Sequence, residues 1–420
     1  MSDNPRRIGS AVLFPTDHPL DPDTMIGRAS DVDRISMALV GGGNIVLAGP
    51  RRTGKTTVAD AALVACRSDG AYVAKVDLFE CADAGELAHR LTLELLANRA
   101  ILRRAISEAI GAGRSVLDAL RPAATIRARQ DLGEDLEITI DLARAEEDPA
   151  RALDTSLRLA QRLAERDGRR VVVFMDEFQE IATGRFGGPD IVTRKVRAVL
   201  QRSHAVSVLF AGSIEHLMRD LFAPSERALS QFGSFHELTA ISPTEWAGGI
   251  RERLATDHTS IADDARVRLV ELGEGHPRAT MLIAQQAHAQ TIEELAHTID
   301  HASVVVALDR ALSSEQLRHQ QQLEHIRATG RYSERMAIRV AADAELYHAL
   351  KPQQAARALN ALRDVGVVER ARQGRWYVVD PLLRRYLAGR RVEPLSFAAF
   401  DAVEASDHAR VEISDESPPR

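Results

Sequence analysis

Four short apolar runs punctuate a chain whose remaining apolar residues mostly recur at three- and four-residue spacing. They occupy residues 44–48, 71–78, 171–175 and 205–211, and the run at 171–175 reads Val-Val-Val-Phe-Met without a polar residue. Continuous runs of this length, bounded by turn residues, predict strands buried on both faces. Helix-compatible runs separate them. One extends over 29–40, with Ser30 predicted as its N-cap, and is ended by Gly41-Gly42-Gly43; another follows at 57–65. Strands alternating with helices predict an α/β fold with a mostly parallel, doubly wound sheet.

The pattern also divides the chain. Residues 1–24 are rich in Pro and Asp and form an irregular lead-in, and 25–242 hold the strands. Within that core, about 79–170 form a long insertion. Helical periodicity covers 86–110 and 148–166, and a short alternating piece at 136–140 predicts a strand. Residues 243–330 are helical throughout except at Gly273-Glu274-Gly275-His276-Pro277-Arg278, and 331–390 form a further small domain. The last 30 residues carry three basic and seven acidic side chains, so a partly disordered acidic tail is expected.

Composition narrows the class. At 420 residues, two or three domains can each bury a core. Aromatic residues make up only 4%, so Leu, Val, Ile and Ala must fill it. No apolar run reaches the length of a membrane span, and no signal-type segment follows Met1-Ser2-Asp3. Two cysteines, Cys66 and Cys81, give neither a disulfide framework nor a zinc motif, and a cytoplasmic location is expected. The net charge of −6 hides an asymmetry: residues 331–390 hold 12 Lys and Arg against 6 Asp and Glu, so the rest of the chain carries −12. A basic segment on an acidic protein is where a polyanion would bind.

Chemistry enters at Gly49-Pro50-Arg51-Arg52-Thr53-Gly54-Lys55-Thr56-Thr57, which fits G-x-x-x-x-G-K-[ST] between a predicted strand and a predicted helix. The glycines let backbone N–H groups converge on phosphate oxygens at a helix N-terminus. Lys55 would reach the β/γ-phosphates, and the Thr56 hydroxyl would ligate Mg²⁺. The strand at 171–175 delivers Asp176 and Glu177 to the sheet edge where ligands collect. Asp176 would hold Mg²⁺, and Glu177 would polarise a water for attack on the γ-phosphate.

With the Met175-Asp176-Glu177-Phe178-Gln179-Glu180 segment and Phe210-Ala211-Gly212-Ser213, the chain resembles the AAA+-related archaeal-type P-loop ATPases, close to the signal-transduction (STAND) branch. Ile26-Gly27-Arg28, Gly275-His276-Pro277-Arg278 and a C-terminal winged-helix pattern ending Val379-Asp380-Pro381 extend the likeness over roughly residues 25–390. The resemblance implies a core with a helical insertion, a helical lid at 243–330 and a winged-helix domain at 331–390. It further implies Ser213 as the sensor-1 residue, Arg278 as a sensor-2 contact to the γ-phosphate, and Ile26 and Arg28 near the adenine. ATP rather than GTP follows from the resemblance and from the lack of an [NT]-K-x-D motif. Arg219 and Arg227 follow the sensor-1 strand, but neither sits in a pattern that marks an arginine finger.

In the basic segment, 352–364 predicts a helix with Gln353, Gln354, Arg357, Asn360 and Arg363 polar and Ala355, Ala358, Leu359 and Leu362 apolar. A wing with Gly374 at its tip carries Arg370, Arg372 and Arg375. Such a helix can enter a major groove of double-stranded DNA, with Arg357, Arg372 and Arg375 as contacts. Winged helices also dock proteins. The expected function is therefore a Mg²⁺-dependent ATPase acting as a nucleotide-driven switch that binds DNA. The alternative is a STAND-type signalling ATPase whose winged helix meets a protein partner or a second copy of the chain.

Overall fold

A computed structural model describes residues 8–16, 20, 24–98, 149–201, 203–223, 226–347, 350–371 and 373–389. The strand expected at 136–140 and the tail at 391–420 lie outside the described residues. The chain divides into two compact units, Met1–Ala307 and Leu308–Arg420.

The first unit is built on a parallel sheet. Its strands are β1 (Ile45–Ala48), β2 (Tyr72–Asp77), β3 (Val171–Asp176), β4 (Val206–Gly212) and β5 (Ser234–Glu237), in the order β2-β3-β4-β1-β5 among the described residues. All four pairings are parallel. The unbroken apolar runs are explained by burial on both faces. Val171, Val173 and Met175 of β3 enter one core cluster, and Val172 and Phe174 enter the other.

The second of these clusters is filled by α2 (Ala29–Val40) and α3 (Lys55–Ser68), after a short α1 (Ser10–Leu13). The first is filled by α4 (Ala84–Ala97), α5 (Pro149–Asp167), α6 (Pro189–Leu200) and α7 (Glu215–Phe222). The two ends of the long insertion thus belong to the core. Leu87, Leu91, Leu153 and Leu157 are fully buried, and Thr92 Oγ1 lies 2.9 Å from Ser156 Oγ between the two helices. Cys66 and Cys81 lie in different clusters, on opposite faces of the sheet, and burial pushes both thiols up to about 11.

Boundaries differ from expectation: the helix expected at 57–65 spans Lys55–Ser68, the chain divides after Ala307 rather than at 330, and α2 starts differently. Ser30 does not cap α2; the helix begins at Ala29, with Arg28 in the cap position and no side-chain cap. The cause is tertiary. The Arg28 guanidinium donates to Thr53 O at 3.2 Å and Thr239 O at 2.9 Å, which sets where the chain turns into the helix.

Beyond β5 come α8 (Pro243–Thr256), β6 (Ser260–Ile261), α9 (Asp263–Gly273), α10 (Pro277–Glu293) and β7 (Thr298–Ile299). Ser242 and Glu245 close a capping box on α8. The N-terminal segment is strapped onto these helices. Ser10 Oγ lies 2.9 Å from His288 Nδ1, and His288 Nε2 lies 2.9 Å from Asp257 Oδ2, with His288 wholly buried. Arg253 donates to Leu13 O and Thr24 O, and Gln285 Nε2 donates to Phe14 O at 2.8 Å.

The next helix, α11 (His301–Ser314), is followed by α12 (Gln316–Thr329), α13 (Ser333–Ala341), α14 (Pro352–Asp364), a hairpin of β8 (Val368–Arg370) and β9 (Trp376–Val378), and α15 (Pro381–Gly389). In the second unit, α12 to α15 and the hairpin enclose their own core around Leu323, Met336, Leu359, Leu362 and Leu383. Pro352 occupies the first turn of α14, where its missing N–H costs nothing.

Candidate active site

The site begins where β1 stops at Ala48 and α3 starts at Lys55. The intervening loop needs left-handed backbone at Arg52 (φ 64°) and Gly54 (φ 88°). Glycine suits the second position; at the first, a non-glycine holds a conformation that is usually kept only where the surroundings enforce it. Thr53 Oγ1 donates to Pro50 O at 2.8 Å and braces the turn. Lys55 is 6% exposed, and its ammonium donates to Gly49 O at 2.8 Å and Pro50 O at 2.7 Å. Burial lowers its pKa to about 8, against the opposing charges of Glu177 and Asp176.

The strand-end acids meet this loop. Thr56 Oγ1 donates to Asp176 Oδ2 at 3.0 Å, and Glu177 N donates to Asp176 Oδ1 at 2.9 Å. Burial, and next the Glu177 charge, raise the Asp176 carboxyl to about 6. Asp77, paired in register with Asp176, adds a third carboxylate to this sheet edge. Glu177 itself is left-handed (φ 47°). Its Oε2 accepts from Ser213 Oγ at 2.8 Å and from Gln179 Nε2, while Gln179 Oε1 accepts from Ser213 N at 3.2 Å.

A cavity of about 570 Å³ opens over the loop. Its polar side carries Arg51, Arg52, Thr53, Gly54, Lys55, Thr56, Thr57, Glu177, Ser213 and Arg278. Its apolar side carries Pro15, Leu20, Met25, Ile26, Ile241, Trp246 and Met281. One wall fits an anion and the other a flat apolar group, which is the division a nucleotide needs. Trp246 Nε1, buried in the apolar wall, has no hydrogen-bond partner among the described residues.

The sequence-predicted residues separate into groups. Lys55, Thr56, Asp176, Glu177 and Ser213 come together, with Gly49 and Pro50 at the loop's base. Arg278, in the first turn of α10, and Ile26 both line the cavity. Arg28 lines it too, but its donors go to Thr53 O, Thr239 O and Asp31, so it acts as a bracket between loop and sheet. Pro15, Leu20, Trp246, Met281 and Gln179 were not anticipated; the first four are ordinary apolar residues outside any motif. In the second unit Arg357 is exposed, Arg375 pairs with Asp343, and Arg372 lies outside the described residues.

Thr56 and Asp176 supply hard oxygen donors suited to Mg²⁺. Among the described residues no group of three or more His, Cys, Asp or Glu is arranged as a metal cage.

Comparison with known proteins agrees with this geometry. A family model described as the AAA ATPase domain matches residues 24–186. Among solved structures, the Walker-type ATPase paby2304 of Pyrococcus abyssi superposes with a TM-score of 0.62 at 15% identity, covering 89% of this chain and 99% of that one. The Aeropyrum pernix ORC2 protein, solved in ADPNP–ADP complexes, superposes at 0.54 and 14% identity, covering 92% and 99%. No curated protein matches. The fold is that of the P-loop NTPases, and the family model places an AAA ATPase domain over the phosphate loop and the strand that carries Asp176. Residues 24–186 match that domain, and the chain is an ATP-hydrolysing enzyme whose fold is similar to that of the Pyrococcus abyssi Walker-type ATPase. No helix among the described residues is long and apolar enough to cross a membrane.

Proposed function

We propose that the chain is a Mg²⁺-dependent, ATP-driven switch whose C-terminal unit binds double-stranded DNA. The observation that carries the enzymatic half is the convergence of Lys55, Thr56, Asp176, Glu177 and Ser213 on the polar wall of one cavity or directly behind it. Lys55 would exchange its two loop carbonyls for β/γ-phosphate oxygens. Thr56 and Asp176 would hold Mg²⁺, which offsets phosphate charge. Glu177 would accept the proton of a water attacking the γ-phosphorus in line, releasing ADP and phosphate. Ser213 and Arg278 would contact the γ-phosphate from β4 and α10.

Because Trp246 and Met281 come from α8 and α10, while the phosphate loop belongs to the sheet, nucleotide would bear on the angle between them. We read the second unit as a winged helix. Gln353, Arg357 and Asn360 are exposed on α14, opposite the buried Ala355, Ala358, Leu359 and Leu362, which supports α14 as the groove-facing helix. Arg370, stacked 5.9 Å over Trp376, and Arg375 would meet phosphates from the wing. The ATPase assignment is tested by measuring phosphate release and fluorescent ADP binding for the wild type, Lys55→Ala and Glu177→Gln. Glu177→Gln should bind and not turn over, whereas tight nucleotide binding by Lys55→Ala would remove the site.

A further inference from the structure

We propose that Arg51 is a catalytic residue: the phosphate loop itself supplies, in cis, the arginine that stabilises charge on the transferred phosphoryl group. This rests on the nucleotide reading above and goes beyond it, since it makes the hydrolytic site complete within one chain.

The loop carries two successive arginines, and the left-handed backbone at Arg52 (φ 64°) follows directly on Arg51. Arg51 Nε reaches the Ser213 hydroxyl at the end of β4, 3.4 Å away. The same hydroxyl donates to Glu177 Oε2 at 2.8 Å. An exposed guanidinium therefore stands one hydroxyl away from the carboxylate that would polarise the attacking water. Arg51, Ser213, Glu177 and Lys55 line the same cavity.

The backbone at Arg51 is anchored as well. His276 Nδ1 accepts from Ala279 N at 3.2 Å, so the ring proton sits on Nε2, which points at Arg51 O, 3.4 Å away. Arg51 thus stands where the phosphate loop, β4 and the cap of α10 converge.

Arg52 and Arg278 line the cavity as well, whereas two further arginines are engaged elsewhere. Arg28 is spent on Asp31 and two carbonyls, and Arg219 on Glu215 and Glu237. No carboxylate of the described residues forms an ion pair with Arg51, so its charge is available to an anion in the cavity. Charge developing on equatorial phosphoryl oxygens is what an arginine stabilises, and such arginines change kcat by about 10³–10⁵-fold.

The test uses full-length Arg51→Ala and Arg51→Lys, with fluorescent ADP, ADP plus aluminium fluoride, and ATP. Arg51→Ala should bind ADP within about threefold of wild type and lose the tighter binding that aluminium fluoride confers. Its kcat should fall by about 10³-fold. Arg51→Lys should recover only part, because a point charge does not reproduce the guanidinium fork. Wild-type specific activity should not depend on protein concentration, and mixing Arg51→Ala with Lys55→Ala should restore nothing. Activity restored by mixing would place the arginine on a neighbouring chain and overturn the proposal. So would undiminished aluminium fluoride trapping, or a loss of ADP affinity as large as the loss in kcat. If wild-type protein does not bind ADP at all, the nucleotide reading fails and the proposal falls with it; if only Arg51→Ala behaves as wild type, the proposal alone fails.

Discussion

Buried charge is the central fact at the scale of single residues. Lys55 and Asp176 are 6% and 5% exposed, and burial moves their pKa values towards neutrality, to about 8 and about 6. A carboxyl whose folded pKa is raised stabilises the fold only while protonated. For Asp176 that contribution is full below about pH 4 and is lost as pH rises through about 6. At pH 7.5, Asp176→Asn should therefore raise the Tm of the ligand-free protein by about 2–4 °C while abolishing ATP hydrolysis; scanning calorimetry with a phosphate-release assay measures both. Ligand binding should show the complementary dependence. As pH falls through about 6, Asp176 becomes neutral and Mg²⁺–ADP affinity should drop about tenfold per unit, with Mg²⁺-free ADP following weakly. Lys55→Ala should weaken ADP binding by at least about 100-fold, since it removes a charge-assisted phosphate contact from a buried site. Calorimetric titration across pH decides both.

Elements differ in how openly the chain announces them. The strand β3 is legible because every residue from Val171 to Asp176 is buried, and α14 because its buried positions recur at helical spacing. By contrast β5, Ser-Phe-His-Glu, buries only His236 and exists because it pairs with β1, so no local pattern marks it. The phosphate loop and the Asp-Glu pair were readable since phosphate chemistry demands those residue types at that spacing. Trp246, Met281 and Pro15 were not, because an apolar cavity wall needs only shape, which many sequences satisfy. The N-terminal strap was equally hidden: Ser10, Asp257 and His288 are scattered along the chain and meet only after folding. The strap should matter to binding, since Pro15 and Leu20 wall the cavity. Arg253→Ala, which frees Leu13 O and Thr24 O, should speed amide exchange in residues 8–16 and weaken ADP binding by about tenfold, or about 1.4 kcal/mol. Exchange mass spectrometry and an ADP titration on the same variant check this.

For the whole molecule, the proposal of a polyanion partner rests on an uneven distribution of charge. The 331–390 segment carries +6 on a chain whose remainder carries −12, so the proposed DNA contact would be confined to the basic segment. Arg357 is exposed on α14, and its replacement by Ala should weaken duplex binding and lower the salt slope by about one. A nucleotide in the cavity would touch the phosphate loop, α8 and α10, so exchanging ADP for ATP would act on the angle between those parts. Both halves of the account meet in one measurement: titration of the full chain against a generic DNA duplex at two salt concentrations, with ADP and with a non-hydrolysable ATP analogue. Salt-sensitive binding whose affinity differs between the two nucleotides is the expected result. Absence of binding in either state would contradict it and leave a signalling ATPase whose C-terminal unit meets protein.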